Sequence, residues 1–236
     1  MTRTSRREVA TFPAAIYDPD CRRCGRLARF LDQVRAAHPD YHCGPVGPFG
    51  AADASLVIVG LAPGMHGANA TGRPFTGDFA GELLYATLFK FGYATRKRSV
   101  SAADGLRLTD ARITNAVKCL PPANKPLAAE VRNCNAYLAA ELATLPAGAS
   151  VLALGRVAHD ACLGALGHAR RGHPFAHGAV HSFERGVRLF DSYHCSRYNT
   201  NTRRLTAAMF ERVFAAIARH RSARRRPPRQ AAAPAA

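Results

Sequence analysis

The chain has 236 residues, with 33 Lys or Arg against 16 Asp or Glu, and its formal net charge is +17. This length supports one substantial hydrophobic core, and the charge indicates a polyanionic partner, with nucleic acid favoured over a membrane surface. The sequence contains no apolar run of about eighteen residues, which excludes a membrane-spanning helix, and no apolar segment follows the N-terminal arginines, which argues against a secretory signal.

The N-terminal region carries the first candidate metal ligands. We expect residues 1–12 to be flexible and residues 13–220 to form a single, monomeric domain. Cys21 and Cys24 form a Cys-x-x-Cys pair before an amphipathic helix, and this pair alone fits a metal site, a redox pair or chance. Since the missing signal predicts a cytoplasmic location, where thiols stay reduced, the seven cysteines are expected to be metal ligands or free thiols.

A long glycine-rich loop follows the first predicted strand, which covers residues 55–59. Residues 60–78 contain five glycines and two prolines and therefore cannot be a helix. Such a loop between a strand and a helix is usually functional, and its glycines permit a ligand to approach the backbone closely. A structural Ω-loop is the alternative. The next helix is predicted from about Gly81 to Gly92, with Asp78 as its N-cap.

The remainder of the chain alternates strands with helices. Strands are predicted at 113–117, 151–155 and 187–190, and the helices include 157–166 and about 204–219. This alternation indicates an α/β domain with a mostly parallel, four-stranded sheet, whose ligand sites lie beyond the carboxyl ends of the strands. The tail at 221–236 has arginines and prolines but no apolar face, so we expect it to be disordered.

Two further cysteines and a basic cluster extend the candidate binding surfaces. Cys119 follows the second predicted strand, and Cys134 lies in the helix that begins at Leu127. With the first pair they supply four thiolates, the ligand set of a zinc site or an iron–sulfur cluster. The basic residues 96–98 form either a solvated loop or a phosphate contact.

These motifs resemble the uracil-DNA glycosylase superfamily, most closely its family 5 (type B) iron–sulfur branch. The loop at 60–78 carries Gly-Leu-Ala-Pro, His-Gly, Asn, Thr-Gly-Arg and Phe-Thr-Gly-Asp in order, residues 114–119 resemble the second motif, and residues 194–202 resemble the last. The resemblance covers about residues 13–220. Departures from the family pattern occur at Ala70, Cys195 and Arg203.

The resemblance implies a three-layer α/β/α fold and a monofunctional glycosylase that flips uracil, and other deaminated bases, out of DNA and hydrolyses the glycosidic bond. It also implies a [4Fe-4S] cluster bound by Cys21, Cys24, Cys119 and Cys134. We expect this cluster to be structural and to present basic residues such as Lys118 and Lys125 to DNA. The rival from another class is a noncatalytic nucleic-acid-binding protein with a structural four-cysteine metal site.

The resemblance further assigns roles within the site. Phe75 is expected to stack on the flipped base, Asn115 to bind its edge, and His194 to stabilise negative charge on the departing base. Other substrate-binding candidates are Gly60, Ala62, Pro63, Gly64, His66, Gly67 and Asn199.

The residue that positions the attacking water is less clearly marked. Sister families carry Asp or Glu directly inside the first motif, whereas this chain has Leu61 and Ala62 there. Asn69 and Asp78 are therefore the candidates, although an amide is a poor general base and Asp78 also fits a helix cap. A second rival, the covalent uracil-binding relative, carries a basic insertion after the first motif that is missing between Asp78 and Gly92.

Overall fold

The computed structural model describes residue 13 and residues 16–225, with only the helical backbone described for 223–225. The predicted flexible segment 1–12 and residues 226–236 of the predicted tail lie outside this range. In the described part of the chain, no helix combines the length and the apolar character needed to cross a bilayer.

A six-stranded sheet forms the centre of the domain. Its strands are β1 (Phe49–Gly50), β2 (Leu56–Gly60), β3 (Ala111–Asn115), β4 (Ser150–Leu154), β5 (Val180–Ser182) and β6 (Arg188–Ser192). Their order across the sheet is β1-β3-β2-β4-β6-β5. The four predicted strands are the parallel ones at the centre, and two short antiparallel edge strands, β1 and β5, enlarge the predicted four-stranded sheet to six.

Helices cover both faces of this sheet. They are α1 (Gly25–Ala37), α2 (Ala68–Thr71), α3 (Phe79–Lys90), α4 (Ala128–Ala143), α5 (Arg156–Ala165), α6 (Arg197–Asn201) and α7 (Ala207–Arg225). Because successive side chains of a strand point to opposite faces, Ile58 packs with α3 and α7 on one side while Val57 and Val59 pack with α4 and α5 on the other. The predicted three-layer α/β/α architecture is confirmed.

The last helix is longer than predicted. It continues to Arg225, so the first residues of the predicted disordered tail are helical. Arg221 forms an ion pair with Asp110 and its guanidinium lies 4.9 Å from the centre of the Tyr93 ring. These two contacts hold the end of α7 against Asp110, which directly precedes β3, and against Tyr93. The sequence prediction relied on an apolar helix face, and these contacts do not need one.

The structure contradicts the prediction that Lys118 faces DNA. Its side chain is 3% exposed, and its Nζ lies 3.2 Å from Glu141 Oε2. Arg112 Nε lies 3.1 Å from the other oxygen of the same carboxylate, and both of those side chains are fully buried. Two cations and one anion therefore form an ionic cluster inside the domain, beneath the second motif. Lys125, by contrast, is exposed as expected.

The register of the parallel strands gathers the motif residues at one edge. Gly60, the last residue of β2, pairs with Asn115, the last residue of β3. Leu154 and Ser192, which end β4 and β6, pair in the same way. His194 follows two residues after β6, and so the first, second and last motifs meet beyond the carboxyl ends of the strands, as such sheets require.

Candidate active site

A pocket of about 440 Å³ opens at the carboxyl edge of the sheet. It brings together residues from all three motifs and from the start of α3. Its lining consists of Leu61, Ala62, Gly64, Ala68, Phe75, Asp78, Phe79, Ala80, Asn115, Asn124, His194, Ser196 and Arg197. The predicted residues Ala62, Gly64, Phe75, Asp78, Asn115 and His194 are among them.

Phe75 forms an aromatic wall of the pocket. It is held at a positive φ of 54°, and its ring lies 5.9 Å from the His194 ring with 28° between the two planes. A Cβ on Gly60 would come within 2.6 Å of Phe75 Cζ and would also overlap Asn115 Oδ1. Glycine at position 60 is therefore required by the close approach of these two side chains rather than by its own torsion angles.

Asn115 offers an unused acceptor to the pocket. The residue is 2% exposed, and its Oδ1 has no hydrogen-bond partner within the described protein. A buried carbonyl oxygen without a donor costs about 1–3 kcal/mol. This cost is removed when a ligand brings an N–H group to the oxygen, so the site is prepared for a donor at this point.

His194 contributes an imidazole to the pocket, and this imidazole is neutral. Burial lowers the pKa of His194 to about 4, because the charged imidazolium would lose its hydration. The Asn199 side chain donates a hydrogen bond of 2.8 Å to the His194 carbonyl and so fixes the backbone that carries the ring. Asn199 is thus behind the site rather than in its lining.

Asp78 caps α3 and lines the pocket at the same time. Its Oδ1 accepts a hydrogen bond of 2.8 Å from the Gly81 N–H, which confirms the predicted N-cap. Burial raises the pKa of Asp78 above its ordinary value. Its Oδ2 lies beside Gly67, where an added Cβ would come within 2.8 Å of it, and this contact explains the glycine.

The structure does not place every predicted residue in the pocket. Asn69 is fully buried, and its Nδ2 donates to Cys43 Sγ over 3.6 Å, so its side chain points into the protein instead of the site. His66 is exposed and its Nδ1 is hydrogen-bonded to Tyr41 Oη at 3.0 Å. Pro63 is buried outside the lining. The geometry thus removes Asn69 as the residue that orients water.

The site also contains residues that sequence reasoning missed. Arg197 lines the pocket, and its guanidinium stacks 5.0 Å above the ring of Phe79. Arg197 and Arg98 also line a neighbouring cleft of about 300 Å³, which shares Asp78 and Phe79 with the pocket. The basic run at 96–98 was one available signal for this cleft, whereas Phe79 reads as an ordinary first residue of a helix.

A separate small cavity collects the four predicted metal ligands. Cys21, Cys24, Cys119 and Cys134 all line a space of about 20 Å³ between α1 and α4. The Lys118 N–H donates to Cys134 Sγ at 3.3 Å. Burial and the three neighbouring thiols raise the pKa of Cys119 to about 12. The four sulfur atoms are thus preassembled by three distant parts of the chain.

Comparisons with known proteins agree with this geometry. A sequence model of the "Uracil DNA glycosylase superfamily" matches residues 48–218. The chain is 43% identical to the "Type-5 uracil-DNA glycosylase" of Thermus thermophilus over 82% of this chain and 90% of that protein. It is 41% identical to the Pyrobaculum aerophilum protein of the same name, over 83% and 86%, and 42% identical to that of Mycobacterium leprae, over 82% and 88%. The chain therefore belongs to the uracil-DNA glycosylase superfamily and to its type-5 branch.

Proposed function

We propose that the protein is a DNA base-excision repair glycosylase that removes uracil, and other deaminated bases, from DNA. The observation that carries this proposal is Asn115, which lines a pocket together with Phe75 and His194 and whose buried Oδ1 has no hydrogen-bond partner among the described residues. A pure nucleic-acid-binding protein has no need of such a pocket. A glycosylase needs one, because the bond that it cuts is inaccessible until the base leaves the stack.

The chemistry of Asn115 suits a uracil edge. An amide side chain both accepts and donates, so Oδ1 takes the N3–H of uracil while the Nδ2 group donates to the O4 carbonyl. Phe75 supplies the apolar face on which the flipped ring stacks, a contact worth about 1–3 kcal/mol per base. Together these two residues recognise a planar ring that has adjacent donor and acceptor groups.

His194 acts on the leaving group. When the glycosidic bond breaks, negative charge spreads to the O2 of the departing base, and a neutral imidazole donates one N–H to that oxygen. A neutral donor is always available in this site, because the pKa of His194 is lowered to about 4 by burial. The reaction therefore needs no prior protonation of this residue at neutral pH.

Asp78 is the group that orients the attacking water. It lines the pocket, and Oδ1 is held by the helix cap, so Oδ2 is the oxygen that is left for water. Its contribution is small relative to that of His194, because a dissociative transition state needs only weak activation of the nucleophile. The described pocket lining includes no lysine, and so no Schiff base is formed and the product is an abasic site.

The DNA backbone is held by charge around the pocket. Arg98 and Arg197 line the adjoining cleft, and the whole chain carries a net charge of +17. Arginines in this position neutralise phosphates on either side of the flipped nucleotide. Binding is therefore expected to weaken as the salt concentration rises.

The four cysteines would hold a [4Fe-4S] cluster in a structural role. A tetrahedral zinc–thiolate site places its sulfurs about 3.8 Å apart, given Zn–S bonds near 2.3 Å. Among the described residues, the group whose ligand atoms all lie within 4.8 Å of one another consists of two histidines and one aspartate. The four thiols do not form such a group. Four cysteine thiolates are the ligand set of a [4Fe-4S] cluster. The cluster would join α1 to the chain around Cys119 and to α4.

The proposal is tested with duplexes that contain uracil, hypoxanthine or no lesion, under single-turnover conditions, followed by an assay for abasic sites. We expect uracil release by the wild-type protein and a loss of at least about 100-fold in Asn115→Ala. Asn135→Ala is the matched control, because its amide bonds the Ala161 carbonyl outside the pocket. A folded protein that binds DNA and releases no base from any duplex would refute the proposal. A borohydride-trapped covalent complex would refute the monofunctional assignment.

A further inference from the structure

A second cluster of ligand-type side chains lies away from the pocket and plays no part in the proposed reaction. It consists of His159 on α5, His181 on β5 and Asp191 on β6. One ligand atom from each lies within 4.8 Å of the other two. Asp191 is fully buried and His159 is 1% exposed, whereas His181 is 10% exposed and opens the cluster toward solvent.

The Asp191 carboxylate divides its two oxygens between the two histidines. Oδ1 lies 2.8 Å from His159 Nδ1, and Oδ2 lies 3.3 Å from His181 Nε2. Both ion-pair partners that the structure describes for Asp191 are thus imidazoles, which carry charge only when protonated. A buried carboxylate needs a cation or hydrogen-bond donors to compensate its charge, and a divalent ion bound by the three side chains would supply that cation.

We propose that His159, His181 and Asp191 form a binding site for one divalent transition-metal ion of the zinc class. Two imidazole nitrogens and one carboxylate oxygen are a ligand set that zinc uses, with a fourth position left for water. Bonds of about 2.0 Å in a tetrahedral site put the ligand atoms about 3.3 Å apart. Each histidine nitrogen already lies at about this spacing from one carboxylate oxygen, His159 Nδ1 at 2.8 Å from Oδ1 and His181 Nε2 at 3.3 Å from Oδ2.

The surroundings of His159 support its use as a ligand. Its Nε2 lies 2.9 Å from the His173 carbonyl, which accepts and cannot donate, so this nitrogen carries the proton. Nδ1 lies 2.8 Å from Asp191 Oδ1, so a metal ion bound at this nitrogen would take the place of the proton that the two atoms share. A ligating histidine that donates its other N–H to a carbonyl is the usual arrangement around protein-bound zinc.

The position of the ion suggests what it does. It would join an edge strand and a helix to β6, and β6 ends two residues before His194. Binding would therefore stabilise the strand that carries the histidine of the pocket, without any contact with substrate.

The test measures zinc in the full-length protein with its four-cysteine site filled, so that free thiols cannot bind the added ion. The protein is dialysed against Zn²⁺, passed through a desalting column and analysed for metal, and its thermal unfolding is followed with and without Zn²⁺. We expect one zinc equivalent per chain and a higher Tm in the presence of zinc. In His181→Ala both effects should be lost, and this variant should fold because the side chain is near the surface.

His38→Ala is the matched control, since this histidine packs against Tyr41 far from Asp191 in sequence and outside the cluster. It should keep both the zinc equivalent and the rise in Tm. The proposal is overturned if the wild-type protein retains no zinc, or if His181→Ala retains as much zinc as the wild type. A folded Asp191→Asn variant should also lose the zinc equivalent and the rise in Tm.

Discussion

The neutral state of His194 gives a prediction about pH that can be worked out from the structure. Burial lowers the pKa of this imidazole from 6.5 to about 4. The unfolded chain therefore binds a proton at His194 in the window between these values, whereas the native protein does not. The sign follows from linkage: stability is fully present above the unfolded pKa and falls as the pH drops from 6.5 to about 4.

The magnitude comes from the same two values. Each pKa unit corresponds to about 1.4 kcal/mol, so the total loss below pH 4 is about 3 kcal/mol, and the part lost between pH 7 and pH 5 is about 2 kcal/mol. His194→Gln removes this titration and leaves a side chain of similar size that donates a hydrogen bond. The wild-type protein should therefore lose about 2 kcal/mol more than the variant over that pH interval, since titrations shared by both proteins cancel.

Two measurements check this reasoning. Urea unfolding of both proteins at pH 7 and pH 5 gives the difference in stability, and NMR titration of the imidazole carbon gives the pKa in the native state. The rate of base release should also show no inflection near pH 6.5 that depends on His194. An NMR midpoint near 6.5, or an equal pH dependence in the two proteins, would refute the account of a neutral, buried donor.

Three further substitutions have clear expectations. Asp78→Asn keeps a capping side chain and should slow single-turnover release less than His194→Ala, and a complete loss of release in the folded Asn variant would contradict the assigned roles. Cys119→Ser should give protein with less iron and sulfide and a lower Tm, whereas Cys162→Ser, at a buried cysteine outside the four-thiol cavity, should keep its iron. Glu141→Gln leaves two buried cations without their anion and should lower the free energy of unfolding by about 3–5 kcal/mol in urea titrations, which an unchanged midpoint would contradict.

The sequence predicted the centre of the fold better than its margins. β2 and β4 are short, mainly apolar runs, as expected for strands that are buried on both faces, and every residue of β2, β3 and β4 is buried. The edge strands were missed because β1 has two residues and β5 is half-exposed, so neither has a detectable pattern. The end of α7 was placed too early, because alanine and arginine extend a helix by propensity without an apolar face.

The motifs predicted which residues form the candidate site but not how every side chain is oriented. The motifs were sufficient to predict that Phe75, Asn115 and His194 meet, because Asn115 and His194 lie at the ends of parallel strands and Phe75 belongs to the loop that leaves the end of β2. Motif membership did not reveal which way a side chain points, and so Asn69 and Lys118 were assigned to the wrong surroundings. Lys118 is turned inward by Glu141, a partner 23 residues away that no local pattern connects with it.

Gly60 shows both what the motifs predicted and what they could not predict. Read in sequence, a glycine at the end of a buried strand suggests a backbone cradle for a ligand. In the structure its missing Cβ is instead the space occupied by the Phe75 ring and the Asn115 amide, which approach the backbone together. The stacking face and the hydrogen-bonding edge of the pocket are thus held in fixed relation by one absent methyl group. This explains how a loop of such length can present a rigid site, since the ring of its residue Phe75 packs against Gly60 at the end of β2 and beside Asn115 at the end of β3.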